Sequence, residues 1–153
     1  MKEREAYSIL AVIDFSESSK EVLKWAVCMA EKLSVHLTIL HPYRLNQLDK
    51  KEDVVSIKKK IEFDATKNFE LVAHKLFDNQ KVSFDFRAEV GFIQDRIEDY
   101  ARRNNILLFI IGFNLIDGNE EILKEIENEI KIPLMVVPQP KNNLINQLPS
   151  YSR

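Results

Sequence analysis

The chain has 153 residues, 45% of them hydrophobic and 30% charged, with a formal net charge of −2 and only three glycines. This is the length of a single domain with one core, and the composition excludes a disordered or linker-rich chain. The near-neutral balance gives no global electrostatic drive toward DNA, RNA or an anionic bilayer, so neither a nucleic-acid nor a membrane partner is expected.

Met1-Lys2-Glu3-Arg4-Glu5 is charged and leads into an apolar run too short and wrongly flanked for a signal peptide. No run approaches the ~20 apolar residues of a membrane span. The single cysteine, Cys28, excludes an internal disulfide and fits a reducing, cytoplasmic setting.

Tyr7 to Ile13 is a nearly continuous apolar run closed by Asp14, as in a strand covered on both faces. Ser18 and Glu21 have the spacing of a capping box, which predicts a first helix beginning near Ser18. Its packing face is Val22, Ala26, Met29 and Leu33, with Lys20, Lys24 and Glu31 on the wet side. Leu37-Thr38-Ile39-Leu40 predicts a second buried strand, ending around His41 with Pro42 as terminator. Val54, Ile57, Ile61, Ala65, Phe69, Val72 and Leu76 then mark the longest helix. Lys50, Lys51 and Lys58 to Lys60 are interleaved with Glu52, Asp53, Glu62 and Asp64, a solvated mixed-charge face.

Val82, Phe84 and Phe86 alternate with polar residues, the pattern of a strand near a sheet edge, ended by Gly91. Ile93, Ile97, Tyr100 and Ala101 mark a third helix, stopped by Asn104-Asn105. Ile106 to Ile111, running into Gly112, is a clear buried strand. After a turn at Asp117-Gly118-Asn119, Ile122, Ile126 and Ile130 place a fourth helix, and Leu134 to Val137 form a last strand between Pro133 and Pro138. Four strand–helix units and a final strand, joined by right-handed crossovers, make a doubly wound α/β fold, with helices on both faces of a parallel sheet. Ligands of such sheets sit at the carboxyl ends of the strands, where Asp14, Pro42 and Gly112 lie.

With glycines only at positions 91, 112 and 118, no dinucleotide fingerprint or Walker loop can be written. His36, His41 and His74 lie in different elements without ligand spacing, so no metal site is expected. Cys28 falls on the Lys24–Lys32 side of its helix and has no histidine placed beside it, which describes an inert thiol. A signalling receiver would need an aspartate ending the third strand, where this chain has Arg87-Ala88-Glu89-Val90-Gly91.

Ile9-Leu10-Ala11-Val12-Ile13-Asp14-Phe15-Ser16, the helix through Leu33 and Leu37-Thr38-Ile39-Leu40-His41 resemble the opening of the universal stress protein family. Asn104-Asn105 before the Ile106–Gly112 strand, and Ile132-Pro133-Leu134-Met135-Val136-Val137, continue the likeness, which covers Tyr7 to Pro138. The resemblance implies a five-stranded parallel sheet of order 3-2-1-4-5 with an adenine nucleotide alpha hydrolase-like fold. It makes 1–138 the family domain and 139–153 a loose or surface-packed tail.

ATP-binding members of the family carry Gly, two residues, Gly, nine residues, Gly, then Ser or Thr after the fourth strand, so that backbone N–H groups and a helix N-terminus approach the phosphates. Here Gly112 matches the first glycine, Leu115 occupies the second, and Glu120-Glu121 stand near the final pair in a loop about five residues shorter. Each carboxylate–phosphate pair ~4 Å apart costs about 1–4 kcal/mol, so the phosphate site is expected to be absent.

By the same resemblance Asp14 and Pro42 match positions beside the ribose and adenine. Read from the residues alone, Asp14 closes the strand and caps the next turn, and Pro42 is a terminator. The resemblance implies a non-catalytic, homodimeric stress-response or regulatory protein without cofactor, pairing through Leu134, Met135, Val136 and Val137. Two alternatives stay open: an ATP- or AMP-binding switch or slow ATPase, with magnesium, holding mainly the adenosine through Asp14 and Gly112, and recognition of another small anion in the same crevice.

Overall fold

The computed structural model describes residues 6–45, 53–78 and 81–139. The elements in chain order are β1 (Tyr7–Val12), α1 (Glu17–Leu33), β2 (His36–Tyr43), α2 (Val54–Phe77), β3 (Phe84–Val90), α3 (Ile93–Arg103) and β4 (Asn105–Gly112). A short α4 (Phe113–Ile116) follows, then α5 (Glu120–Lys124), which runs on into a π-helical segment, Glu125–Ile130, before β5 (Leu134–Val137). All strand pairs are parallel, and the sheet order is β3-β2-β1-β4-β5. The doubly wound order expected from the sequence is the one observed.

Because side chains alternate across a strand, the central strands supply two cores. Ile9, Ala11, Leu37, Ile39 and Ile110 point to one face, where Val22, Leu23, Ala26 and Ala30 of α1 and Phe69, Ala73 and Phe77 of α2 cover them. Leu10, Val12, Leu40, Phe109 and Ile111 point to the other, against Ile97 and Tyr100 of α3, Ile116, Ile122 and Ile126. Phe84 and Phe86, on the edge strand β3, are held by α2: Phe69 stacks on Phe86 with ring centroids 4.5 Å apart, and Phe77 meets Phe84 edge-on at 4.3 Å.

Several boundaries differ from the sequence expectations. Helix α1 starts at Glu17, with Ser16 in the extended N-cap position. Ser18 and Ser19 lie buried in its first turn, so no Ser18–Glu21 capping box begins it. Leu33 is 43% exposed, and the packing stripe is completed by Val27 and Ala30 instead. Pro42 does not end β2. It pairs with Glu89 inside the strand, and this is tolerated because β1 pairs with β2 only as far as Val12 opposite Leu40, so the missing N–H faces no neighbour there. Strand β3 begins at Phe84 and runs on to Val90, and Gly91 ends it with φ 141°, a conformation that side chains disfavour. The fourth helix is short and then π-helical, closing where the Lys131 N–H donates to the Ile126 carbonyl at 2.7 Å. The expected tail, 139–153, lies outside the described residues beyond Gln139, as do Lys50, Lys51 and Glu52.

Candidate functional site

The pairing of β1 with β4, Val12 opposite Ile111, brings the residues after both strands together at the carboxyl end of the sheet. There the chain reverses from β1 into α1 through Phe15, whose φ of 62° is a left-handed conformation that costs a non-glycine residue about 1–2 kcal/mol. This reversal folds Asp14 back over the start of α1. Its Oδ1 accepts from the Ser16 N–H at 2.9 Å and from the Ser19 hydroxyl at 3.1 Å, while the Asp14 N–H donates to Ser19 Oγ at 3.2 Å. Asp14 therefore has the turn-capping geometry its position implies.

The other carboxylate oxygen is occupied from α4, directly after β4. The Asn114 amide donates to Asp14 Oδ2 at 2.8 Å and lies 3.2 Å from Ser16 Oγ, linking residues one hundred apart in sequence. Burial pushes the Asp14 carboxyl up, but the bonds from Ser16, Ser19 and Asn114 outweigh it and hold it below its ordinary range.

Gly112 matters here through space rather than φ. A Cβ at this position would stand 2.7 Å from Asn114 Oδ1, 3.4 Å from Val22 Cγ2 and 3.5 Å from Ser18 Cβ. Gly112→Ala is thus expected to push the Asn114 amide off Asp14, at a cost of about 1–3 kcal/mol, the price of a hydrogen bond to a charged acceptor. Urea unfolding checks this as a double-mutant cycle. In an Asn114→Ala background the same change is expected to be nearly neutral, and an equal cost in both backgrounds contradicts the seating of Asn114.

The segment after Gly112 is not an extended loop but the single helical turn α4. Leu115 does not stand beside Asp14; it packs with Leu123 and Ile130 against the core that α3 covers. The side chain that reaches Asp14 is Asn114. Glu120 and Glu121 are exposed in the first turn of α5.

Toward β2 the crevice is walled by rings. His41 Nδ1 lies 3.0 Å from the Ile13 carbonyl and, since that oxygen only accepts, carries the proton. Phe15 meets His41 edge-on at 4.8 Å and Phe86 at 6.0 Å, and His41 stacks with Tyr43 at 6.4 Å. Tyr43 donates to Glu62 of α2 at 2.6 Å, and burial together with this carboxylate raises its phenol well above the ordinary value. Asp14 and Gly112 thus meet through Asn114, while Pro42 stays half-buried in β2. Leu134 to Val137 form the outer strand β5, with Val137 buried and Val136 36% exposed.

A second polar cluster, which the sequence reading left unassigned, fastens the opposite edge. Asp85 of β3 accepts from Thr38 at 2.9 Å, Arg87 at 2.9 Å and the His36 ring at 2.7 Å, and the other ring nitrogen of His36 lies 2.9 Å from Ser83 Oγ. Burial raises Asp85 and these partners lower it further, so it stays ionised below the usual range. Burial and nearby Glu89 push Tyr100 up to about 12. The period-two alternation of Asp85, Arg87 and Glu89 was the available signal, since it aims all three away from the phenylalanine face.

No curated protein matches the chain. Solved structures do. The universal stress protein UspA from Lactobacillus plantarum is 17% identical over 88% of this chain and 99% of its own, with a TM-score of 0.68. A universal stress protein in complex with cAMP is 16% identical over 90% and 100%, with a TM-score of 0.59. The universal stress protein from Archaeoglobus fulgidus in complex with dAMP is 15% identical over 88% and 98%, with a TM-score of 0.56. These identities establish the shared fold. Residues 7–138 match the model of the universal stress protein family, and the chain belongs to that family.

Proposed function

We propose that this protein is a non-catalytic regulatory member of its family, cytoplasmic and homodimeric, which acts on other proteins without nucleotide, metal or nucleic acid. The observation that carries this reading is the bond from Asn114 to Asp14 across the crevice, made by a segment that folds into α4 directly after Gly112. A nucleotide entering there must displace the amide, and where the resemblance puts its phosphates the chain has two exposed carboxylates, Glu120 and Glu121, in the first turn of α5. Both features reduce affinity, the second by about 1–4 kcal/mol for each close like-charge pair.

Pairing is assigned to β5. It is a sheet edge of four residues, and such an edge leaves a row of N–H and C=O groups open to a second copy. Two copies meeting antiparallel along β5 form a two-fold interface. Sedimentation equilibrium tests this: a mass about twice 17.9 kDa is expected at micromolar concentration, and a monomer contradicts it.

A second reading has support from the relatives solved with cAMP and dAMP. In it the ring-lined crevice of Phe15, His41 and Tyr43 takes an adenosine, as a switch or slow ATPase, with Asp14 toward the ribose. That reading expects AMP with magnesium to raise the unfolding temperature and Asp14→Ala to abolish the rise. A flat response in the unmodified protein removes it.

A further inference from the structure

The outer surfaces of α1 and α2 enclose an open groove of about 830 Å³, and none of its lining residues belongs to β5 or bonds to Asp14. Its apolar floor includes Leu71 and Leu76, and Lys20, Lys24, Lys67 and Lys75 line it. Leu71 is 71% exposed, unusual for a leucine in mid-helix, and Phe63 nearby is 62% exposed. Glu70 is the one carboxylate lining the groove among the described residues. Lys24 lies 3.6 Å from Glu21, whereas Lys20, Lys67 and Lys75 pair with no carboxylate among the described residues. Lys67 also lies over the Phe63 ring, 5.3 Å from its centroid, so a chain with a net charge of −2 gathers four lysines around its exposed apolar surface here, three of them without a carboxylate partner among the described residues.

We infer that this groove is a docking site for an acidic amphipathic helix of a partner protein. Apolar residues at i, i+3, i+4 and i+7 of such a helix fit a trough between two helices, and flanking carboxylates meet the lysines. Concavity separates this occupant from a bilayer, which is flat. Two stretches of the chain itself do not match that occupant. Residues 140–153 contain Lys141 and Arg153 but no Asp or Glu. The acidic stretch from Glu120 to Glu129 already buries its apolar face, Ile122 and Ile126, in the core.

The test is fluorescence anisotropy of a labelled synthetic helix of about 18 residues, with leucines at that spacing and glutamates flanking them, titrated with the full-length protein. Binding is expected at low salt, weakening as ionic strength screens the lysines. The double variant Lys67→Glu/Lys75→Glu, which alters exposed side chains only, is expected to bind about tenfold more weakly or worse while keeping its circular dichroism and unfolding temperature. Undiminished binding by that variant overturns the assignment. So does equal affinity for a peptide with lysine in place of every glutamate, failure of the acidic peptide to bind at all, or sedimentation of the protein with phosphatidylserine vesicles in its place.

Discussion

Val136→Lys is expected to turn the proposed β5-paired dimer into a monomer at concentrations where the unmodified protein is expected to sediment as a pair. β5 is the outermost strand on the side opposite β3, and Val136, at 36%, is its most exposed side chain. When two such strands pair antiparallel about a two-fold axis, the Val136 side chains of both copies stand on one face within reach of each other. Lysines there set like charges together in a forming interface, which costs stability in place of the cross-strand apolar contact. The effect is all-or-none because a four-residue strand offers few other contacts to compensate. The monomer should keep its secondary structure, since Val137, which anchors β5 in the core, is untouched. Analytical ultracentrifugation with circular dichroism measures both. A folded variant that still sediments as a dimer places the interface elsewhere.

Phe69→Ala is expected to destabilise the fold by about 3–5 kcal/mol, the range for deleting a buried phenylalanine. Phe69 is 3% exposed and joins three rings: Phe86 at 4.5 Å, Phe84 at 5.9 Å and Phe77 at 6.1 Å. These contacts fix α2 on β3, an edge strand that among the described residues pairs only with β2. Against a total stability of about 5–15 kcal/mol the loss is large, equivalent to about 10 °C in unfolding temperature for a chain of this size. Phe69→Leu, which keeps much of the volume, should cost less than half as much. Denaturant unfolding of the two variants decides it, and equal, small losses would show that the ring cluster does not hold α2. Since Phe86 also touches Phe15, the damage is expected to spread to the crevice wall.

The sheet was legible because its order follows from local patterns. Ile106 to Ile111 is apolar on both faces and Leu37 to Leu40 nearly so, with Thr38 the exception, as strands covered on both sides need be, and the helices between them keep a stripe at intervals of three or four residues. Asp14 and Gly112 were legible as neighbours for the same reason, since both end strands that lie side by side. What closes the crevice was not. Asn114 reaches Asp14 only because the chain turns helical immediately after Gly112, and Phe-Asn-Leu-Ile carries no cap that announces it. The left-handed Phe15 was hidden too, since a bulky residue is a poor candidate for positive φ and is held there by its contacts with His41 and Phe86. Pro42 was misread as an end because its local rule, that proline breaks pairing, holds only where a neighbouring strand needs the N–H. The π-helical turn likewise depends on how Ile126 and Ile130 settle against the core, since an ordinary helix offers both residues the same face.

Whether Asn114 and the short α4 close the family's nucleotide site is tested most directly by isothermal titration of the purified, nucleotide-free protein with ATP and with AMP in magnesium buffer. No heat of binding up to about millimolar nucleotide is the expected result. Binding in the micromolar range, with either nucleotide, contradicts it and makes Asp14 and Asn114 ligands rather than partners of each other.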